Sequence, residues 1–371
     1  MAALAALTAV TFTACEDDND STGGGGQGGQ GTALTEGVYL VCSGNTSNQI
    51  GGSLTLLGLD GTSATDIFEQ ANGRALGDTP NDVMAYGGKL YVAVTGENTL
   101  EVINRYNLSS TQLSTTALMG DARGKKPRRL TAAGKYVFLS TFDGYVAKID
   151  TLTLEAEQVY QVGSYPEGMA VGSGLLFVAN SDYGAGQNPS LSSVNLADGT
   201  VTTFKDALIT NPTSIACYDD ALYVLDYGWY DDAWNQNDAG VRRVKEGQVE
   251  IVAAATMMAA DPQRGLIYTV NAPYTSPATP VTYGVYDMKT GQSRQFITGD
   301  GIDSPAAITV DEVSGDVYIA SYTMNPDTGY ADYSAPSYVN QYTAEGTLVR
   351  TFEAGVGPTA FAVSYGTSTQ K

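Results

Sequence analysis

One unit recurs along almost the whole chain. It is a proline-containing turn, a short apolar strand, a Gly/Asp turn, and a second strand reading aliphatic-Tyr-Val-Ala. Copies stand at Thr79 ("TPNDVMAYGGKLYVAVTGENTLEVINR"), Lys126 ("KPRRLTAAGKYVFLSTFDGYVAKID"), Tyr165 ("YPEGMAVGSGLLFVANSDYG"), Asn211 ("NPTSIACYDDALYVLDYG") and Ser304 ("SPAAITVDEVSGDVYIASYT"). "AADPQRGLIYTVNAPY", from Ala259, keeps the second strand over a degraded first one. The spacing is roughly 40 to 50 residues, the range of propeller blades. Each copy runs on into a third strand, such as "TLEVINR" or "YVNQYT", then a turn and a fourth, such as "LVRTFEA". A seventh copy starts at Gly357 as "GPTAFAVS", and its missing strands stand at the other end as "EGVYLVCSGN" and "GSLTLLGLDGT". Six internal copies and one split copy predict an all-β, seven-bladed β-propeller closed by pairing of its N- and C-terminal strands. Such closure leaves no sheet edge exposed. No stretch carries a capped helical period, so helices are expected to be minor.

The propeller is expected over residues 35–371 as one domain. Ahead of it, residues 1–14 ("MAALAALTAVTFTA") form an apolar run too short to span a bilayer. It reads as a signal-peptide core, although a basic flank is missing. The next residue is Cys15, and "FTAC" has the form of a bacterial lipobox, which predicts lipidation of Cys15. Residues 15–34, with "EDDND" and a Gly/Gln run, have nothing to bury and read as a flexible tether. Cys42 and Cys217 fall inside separate predicted strands and read as small buried hydrophobes.

The chain contains no histidine. That removes Ser-His-Asp and Cys-His catalysis and any His-ligated metal or haem. Acid–base chemistry would fall to Asp, Glu, Lys or Tyr. The formal net charge of −21 repels DNA, RNA and anionic headgroups, so nucleic-acid binding is not expected.

Antiparallel pairing puts the start of each first strand beside the end of its second. The proline turns and the loops leaving the second strands therefore share one face, at the mouth of the central channel. Four of these loops are long and aromatic. They carry Tyr183, then Tyr227, Trp229, Tyr230 and Trp234, then Tyr274, then Tyr322, Tyr330 and Tyr333. Both tryptophans of the chain lie in "DYGWYDDAWNQNDAG", Asp226 to Gly240. Loops that merely join strands have no need of indoles. Rigid amphipathic rings gathered on one face are what a binding surface uses. The predicted ligand contacts are Trp229, Tyr227, Tyr230, Trp234, Tyr183, Tyr274 and Tyr322. Polar contacts are expected from Asn180, Asp226, Arg128 and Glu167, with Asn81, Arg129 and Asn211 on the same face. The loop aspartates read first as solvated turn residues, and their oxygens also suit Ca2+, without the spacing of an EF-hand loop.

The stretches "NDVMAYGGKLYVAV", "YPEGMAVGSGLLFVANSDYG" and "GPTAFAVS" resemble the YncE-like, DUF5074-type propellers. With the lipobox and the acidic tether, the chain most resembles the BtuG family, vitamin B12-capturing surface lipoproteins of gut Bacteroidota. The resemblance spans the chain beyond the tether. It implies a lipid-anchored protein on the extracellular side of the outer membrane. Such a protein binds cobalamin and passes it to a TonB-dependent, BtuB-like transporter. It implies no catalysis and no cofactor of its own. A corrinoid is broad and flat, with apolar faces and a fringe of amides, and rings with polar neighbours suit it.

Two alternatives stay open. Glu167, Asn180 or Asn271, and Asp226 lie on the correct face for a divalent metal of the kind that lactonase-like propellers hold. The same tryptophans and tyrosines also suit a scaffold that grips a glycan or a partner protein.

Overall fold

The computed structural model describes residues 32–120, 122–297 and 302–368. The leader, Cys15 and the tether up to residue 31 lie outside them. Among the described residues the first strand starts at Thr32, within the stretch read as tether.

Seven four-stranded antiparallel sheets are arranged in a ring. Blade 1 is the split one. From the channel outward it holds Pro358–Ser368, Thr32–Cys42, Ser53–Leu57 and Ser63–Ala64. The next six blades follow chain order. Their first strands are Pro80–Tyr86, Pro127–Ala133, Pro166–Gly172, Pro212–Tyr218, Met257–Asp261 and Ser304–Val310. Their second strands are Lys89–Val94, Tyr136–Thr141, Leu175–Asn180, Ala221–Asp226, Leu266–Asn271 and Val317–Tyr322. The degraded copy at Ala259 forms the shortened first strand of blade 6, with 5 residues. Only two short helices occur among the described residues beside single 3-10 turns, Ile67–Asn72 and Thr115–Met119.

The core explains why the second strand of every copy reads as a continuous apolar run. A middle strand of a blade is covered on both faces, so alternate residues enter different interfaces. Leu90, Val92 and Val94 pack toward blade 1, whereas Tyr91 and Ala93 pack toward blade 3. The core is thus seven wedges between neighbouring blades. The aromatic residue of the second strand points into the next wedge every time. Tyr39, Tyr91, Phe138, Phe177, Tyr223, Tyr268 and Tyr318 occupy this position. Cys42 is buried and Cys217 half-buried, both are unpaired, and burial pushes each thiol up to about 12.

The closing strand is paired along its length with Thr32–Cys42, from Thr32↔Ser368 to Cys42↔Pro358. Arg105 of blade 2 fastens it from the side. Its Nη1 donates to Ser364 Oγ at 2.9 Å and to the Tyr365 carbonyl at 2.8 Å, and Nη2 meets Glu36 at 3.0 Å. Arg105→Ala is expected to lower unfolding free energy by about 2 kcal/mol, mostly through the two bonds to the closing strand. Glu36 is half-exposed, so its share is screened. Chemical denaturation checks this, and an unchanged midpoint would remove Arg105 from the closure.

Candidate functional site

Pairs such as Pro80↔Val94, Pro166↔Asn180 and Pro212↔Asp226 place the proline turns beside the ends of the second strands, on one face. Just inside that face the first strands are irregular. Register shifts occur between Pro80 and Asp82, Pro127 and Leu130, Pro166 and Met169, and Pro212 and Ser214. A bulge leaves residues out of the ladder and re-aims their side chains. In blades 2 to 4 the residues released are Asn81, Arg128, Arg129, Glu167 and Gly168, and Asp82, paired with Ala93, stands directly after the first bulge. In blades 5, 7 and 1 the matching residues are Thr213, Ala306 and Thr359. The mouth is therefore charged on one side and small and neutral on the other. Thr79, Lys126 and Tyr165, each directly before a bulge proline, hold positive φ of 53°, 56° and 50°. Non-glycine residues adopt this conformation uncommonly, and here it turns the chain into the bulge proline.

The charged side forms one network. Arg128 grips Glu167 with two parallel bonds, Nε to Oε2 at 3.1 Å and Nη2 to Oε1 at 3.0 Å. Its Nη1 donates to Asn81 Oδ1, and Asn81 Nδ2 donates back to the Arg128 carbonyl at 2.8 Å. The guanidinium also lies over the Phe142 ring, 4.2 Å from its centroid. Arg129 makes a weaker set, with Nη1 3.3 Å from the Asn81 carbonyl and 3.6 Å from Asp82. Burial pushes the Asp82 carboxyl up, against the pull of Arg129. Deeper in the channel, past the bulges, a cavity of about 330 Å³ is lined by Met84, Met258, Ile308, Phe361 and Val363.

The aromatic residues stand above this network in three groups. Tyr183 packs with Phe142 and Tyr165, with centroids 5.8 and 5.2 Å away. Trp229 and Tyr230 form one strand of a small hairpin with Gln236–Asn237. Trp234 stands at the hairpin tip, 6.4 Å from Tyr230. The loop of Tyr274 is bonded to this hairpin, because Gln236 N donates to the Tyr274 carbonyl at 2.7 Å and Ser276 N to Asn235 Oδ1 at 2.8 Å. Tyr322, half-buried, meets Tyr333 edge-on at 4.8 Å. Trp234, Tyr183 and Tyr274 keep 71, 72 and 68 % of their surface open. Tyr227 lies lower, half-buried against the wedge between blades 5 and 6.

Two predicted contacts need correction. Asp226 and Asn180 end their second strands with no exposed surface. Asp226 accepts from Thr210 N and Thr210 Oγ1, each at 2.8 Å, from Asn211 N at 3.0 Å and from Gly228 N at 2.8 Å. Asn180 Oδ1 accepts from Gly163 N at 3.1 Å, and its Nδ2 donates to Ser190 and Ser192. Both side chains pin the turn that enters the first strand, so neither presents an atom to the mouth. Glu167 is buried in its pair with Arg128, and each of the three Arg128 nitrogens makes a bond. Within this network Arg129 is the residue with side-chain nitrogens left unbonded. Phe142 and Tyr165 join the site unannounced by the sequence. A usable signal was present, since Tyr165 directly precedes the proline of its turn and Phe142 lies in a loop on the same face.

The loop aspartates mostly fold their own loops. Asp231 accepts from Ala233 N and Asn235 N, Asp238 from the Trp229 indole, and Asp332 from Ser334 N. Among the described residues, no three His, Cys, Asp or Glu side chains come together as a metal site.

No protein-family model matches the chain, and no curated protein matches it in sequence. Solved structures do match. Hydrazine synthase of Kuenenia stuttgartiensis is similar with a TM-score of 0.59 at 11% identity, over 76% of this chain and 88% of that one. The computationally designed Ika8 protein matches with a TM-score of 0.48 at 14% identity, over 76% of this chain and 89% of that one. At such identity the hydrazine synthase match shows the propeller fold alone.

Proposed function

We propose that this protein is a lipid-anchored carrier on the outer face of the outer membrane. It captures a corrinoid, cobalamin or a close relative, at the channel mouth and hands it to a TonB-dependent transporter. The reading rests on the resemblance to the BtuG-like, YncE-like propellers. The observation that carries it is an arc of open aromatic rings around a polar centre, confined to one mouth of the channel. Open rings suit the faces of a broad flat molecule, and Arg129, bonded within the network only through Nη1, suits its polar fringe. Binding rather than catalysis is favoured because Glu167, Asn180 and Asp226 have their polar atoms committed to the fold. A lactonase-like metal site would need those oxygens free.

Calorimetric titration of the purified protein with cyanocobalamin tests this. Tight one-to-one binding is the expected result. No heat at high micromolar ligand would overturn the corrinoid reading, and glycan arrays would then test the same rings as stacking platforms.

A further inference from the structure

Arg128 and Arg129 are neighbours in sequence at the same bulge, but their surroundings differ. Arg128 bonds Glu167 and Asn81 through all three of its nitrogens and is stacked on Phe142. Arg129 uses only Nη1, toward the Asn81 carbonyl and, at 3.6 Å, toward Asp82. Its Nε and Nη2 donate to no described residue, and its side chain is 29% exposed. Both oxygens of Glu167 bond Arg128, so the carboxylate that Arg129 meets directly is Asp82, at 3.6 Å; burial works against the guanidinium's charge, and Asp82 and Glu167 outweigh it. The Tyr227 hydroxyl also has no partner among the described residues. Burial pushes this phenol up, and the charges of Arg129, Glu167 and Arg128 act on it, with Tyr230 close by.

We infer that Arg129 forms an anion-binding subsite for a carboxylate or phosphate group of the ligand. The free Nε–Nη2 edge of a guanidinium presents two parallel donors, which matches two oxygens of such a group. In a chain with a net charge of −21, a guanidinium with an unbonded edge at the channel mouth gives an anionic group a local cation to meet, in competition with Asp82 and Glu167. The subsite deepens the carrier reading and rests on its claim that this mouth is a binding face. It adds that the ligand bears an anionic oxygen group close to its flat apolar body.

The test uses phenyl phosphate and benzoate as probes, titrated by NMR into the full protein. Wild-type protein is expected to bind at least one of them, and Arg129→Gln to weaken that binding by about tenfold or more. Arg129→Lys, which keeps the charge and loses the two-donor edge, should fall between. Asp82→Asn removes the competing carboxylate and should tighten binding, a gain that misfolding does not produce. No binding of either probe, or equal binding by Arg129→Gln, overturns the subsite. If cyanocobalamin binds while both probes fail, the carrier reading stands and the anion subsite falls. If the probes bind through Arg129 and cyanocobalamin does not, the subsite stands and the corrinoid is replaced by another anionic ligand.

Discussion

Asp226→Ala is expected to lower the unfolding free energy by about 3–5 kcal/mol, the cost of breaking a buried charge network by removing one partner. The carboxylate has no exposed surface and receives three backbone N–H groups, those of Thr210, Asn211 and Gly228, as well as the Thr210 hydroxyl. Its neighbour Arg242 is 1% exposed, with Nη2 4.0 Å from Asp226. Burial pulls the Arg242 guanidinium down and Asp226 holds it up. Truncation leaves three buried donors without an acceptor and a buried cation without its counter-charge. Gly228 lies directly after this hub with φ of 66°, and a side chain there would run into the Asn237 carbonyl at the base of the aromatic hairpin. The variant should therefore lose the hairpin's placement as well as stability. Denaturation and ligand titration on the same sample separate the two roles. Full stability with lost affinity would mean that Asp226 contacts the ligand directly, contrary to its buried position.

Truncating Trp229 to alanine should remove more than about 2 kcal/mol of cyanocobalamin affinity, roughly thirtyfold. The indole stands on a paired strand, opposite Asn237, and its Nε1 donates to Asp238 Oδ2 at 2.9 Å. That bond fixes the ring while about half of its surface, 48%, stays open. A fixed ring with an open face loses little entropy when a ligand stacks on it. Trp229→Phe should lose less, since it keeps a stacking face, and Asp238→Ala should lose an intermediate amount by releasing the ring. Titration of the three variants checks the order. Unchanged affinity in Trp229→Ala would take this residue out of the site.

The blades were legible because a propeller repeats one local rule. Every second strand is sandwiched, so each copy needs a run of mostly apolar residues through its middle and an aromatic one at a fixed place. Tyr91, Tyr223, Tyr268 and Tyr318 carry that rule in plain view. The ring closure was legible for the same reason, since "GPTAFAVS" lacked partners that "EGVYLVCSGN" supplied. The site was legible only as a face. Asn180 and Asp226 resembled ligand contacts because they end strands at the mouth, but the backbone donors of the entering turns claim them first. Arg128 and Arg129 were indistinguishable in the run "GKKPRR". Only the packing of three blades determines that Glu167 and Asn81 reach one of them and leave the other open.

The sequence by itself determined the all-β class, the blade count, the strand that closes the ring and the face on which the rings gather. Each of these follows from periodicity and from which ends antiparallel strands share, which are local properties of the chain. The tertiary structure alone decided which polar groups at the mouth are spent on the fold and which remain for a ligand. That division depends on distances between residues of different blades, such as Asn81, Arg128 and Glu167, and no local pattern encodes them.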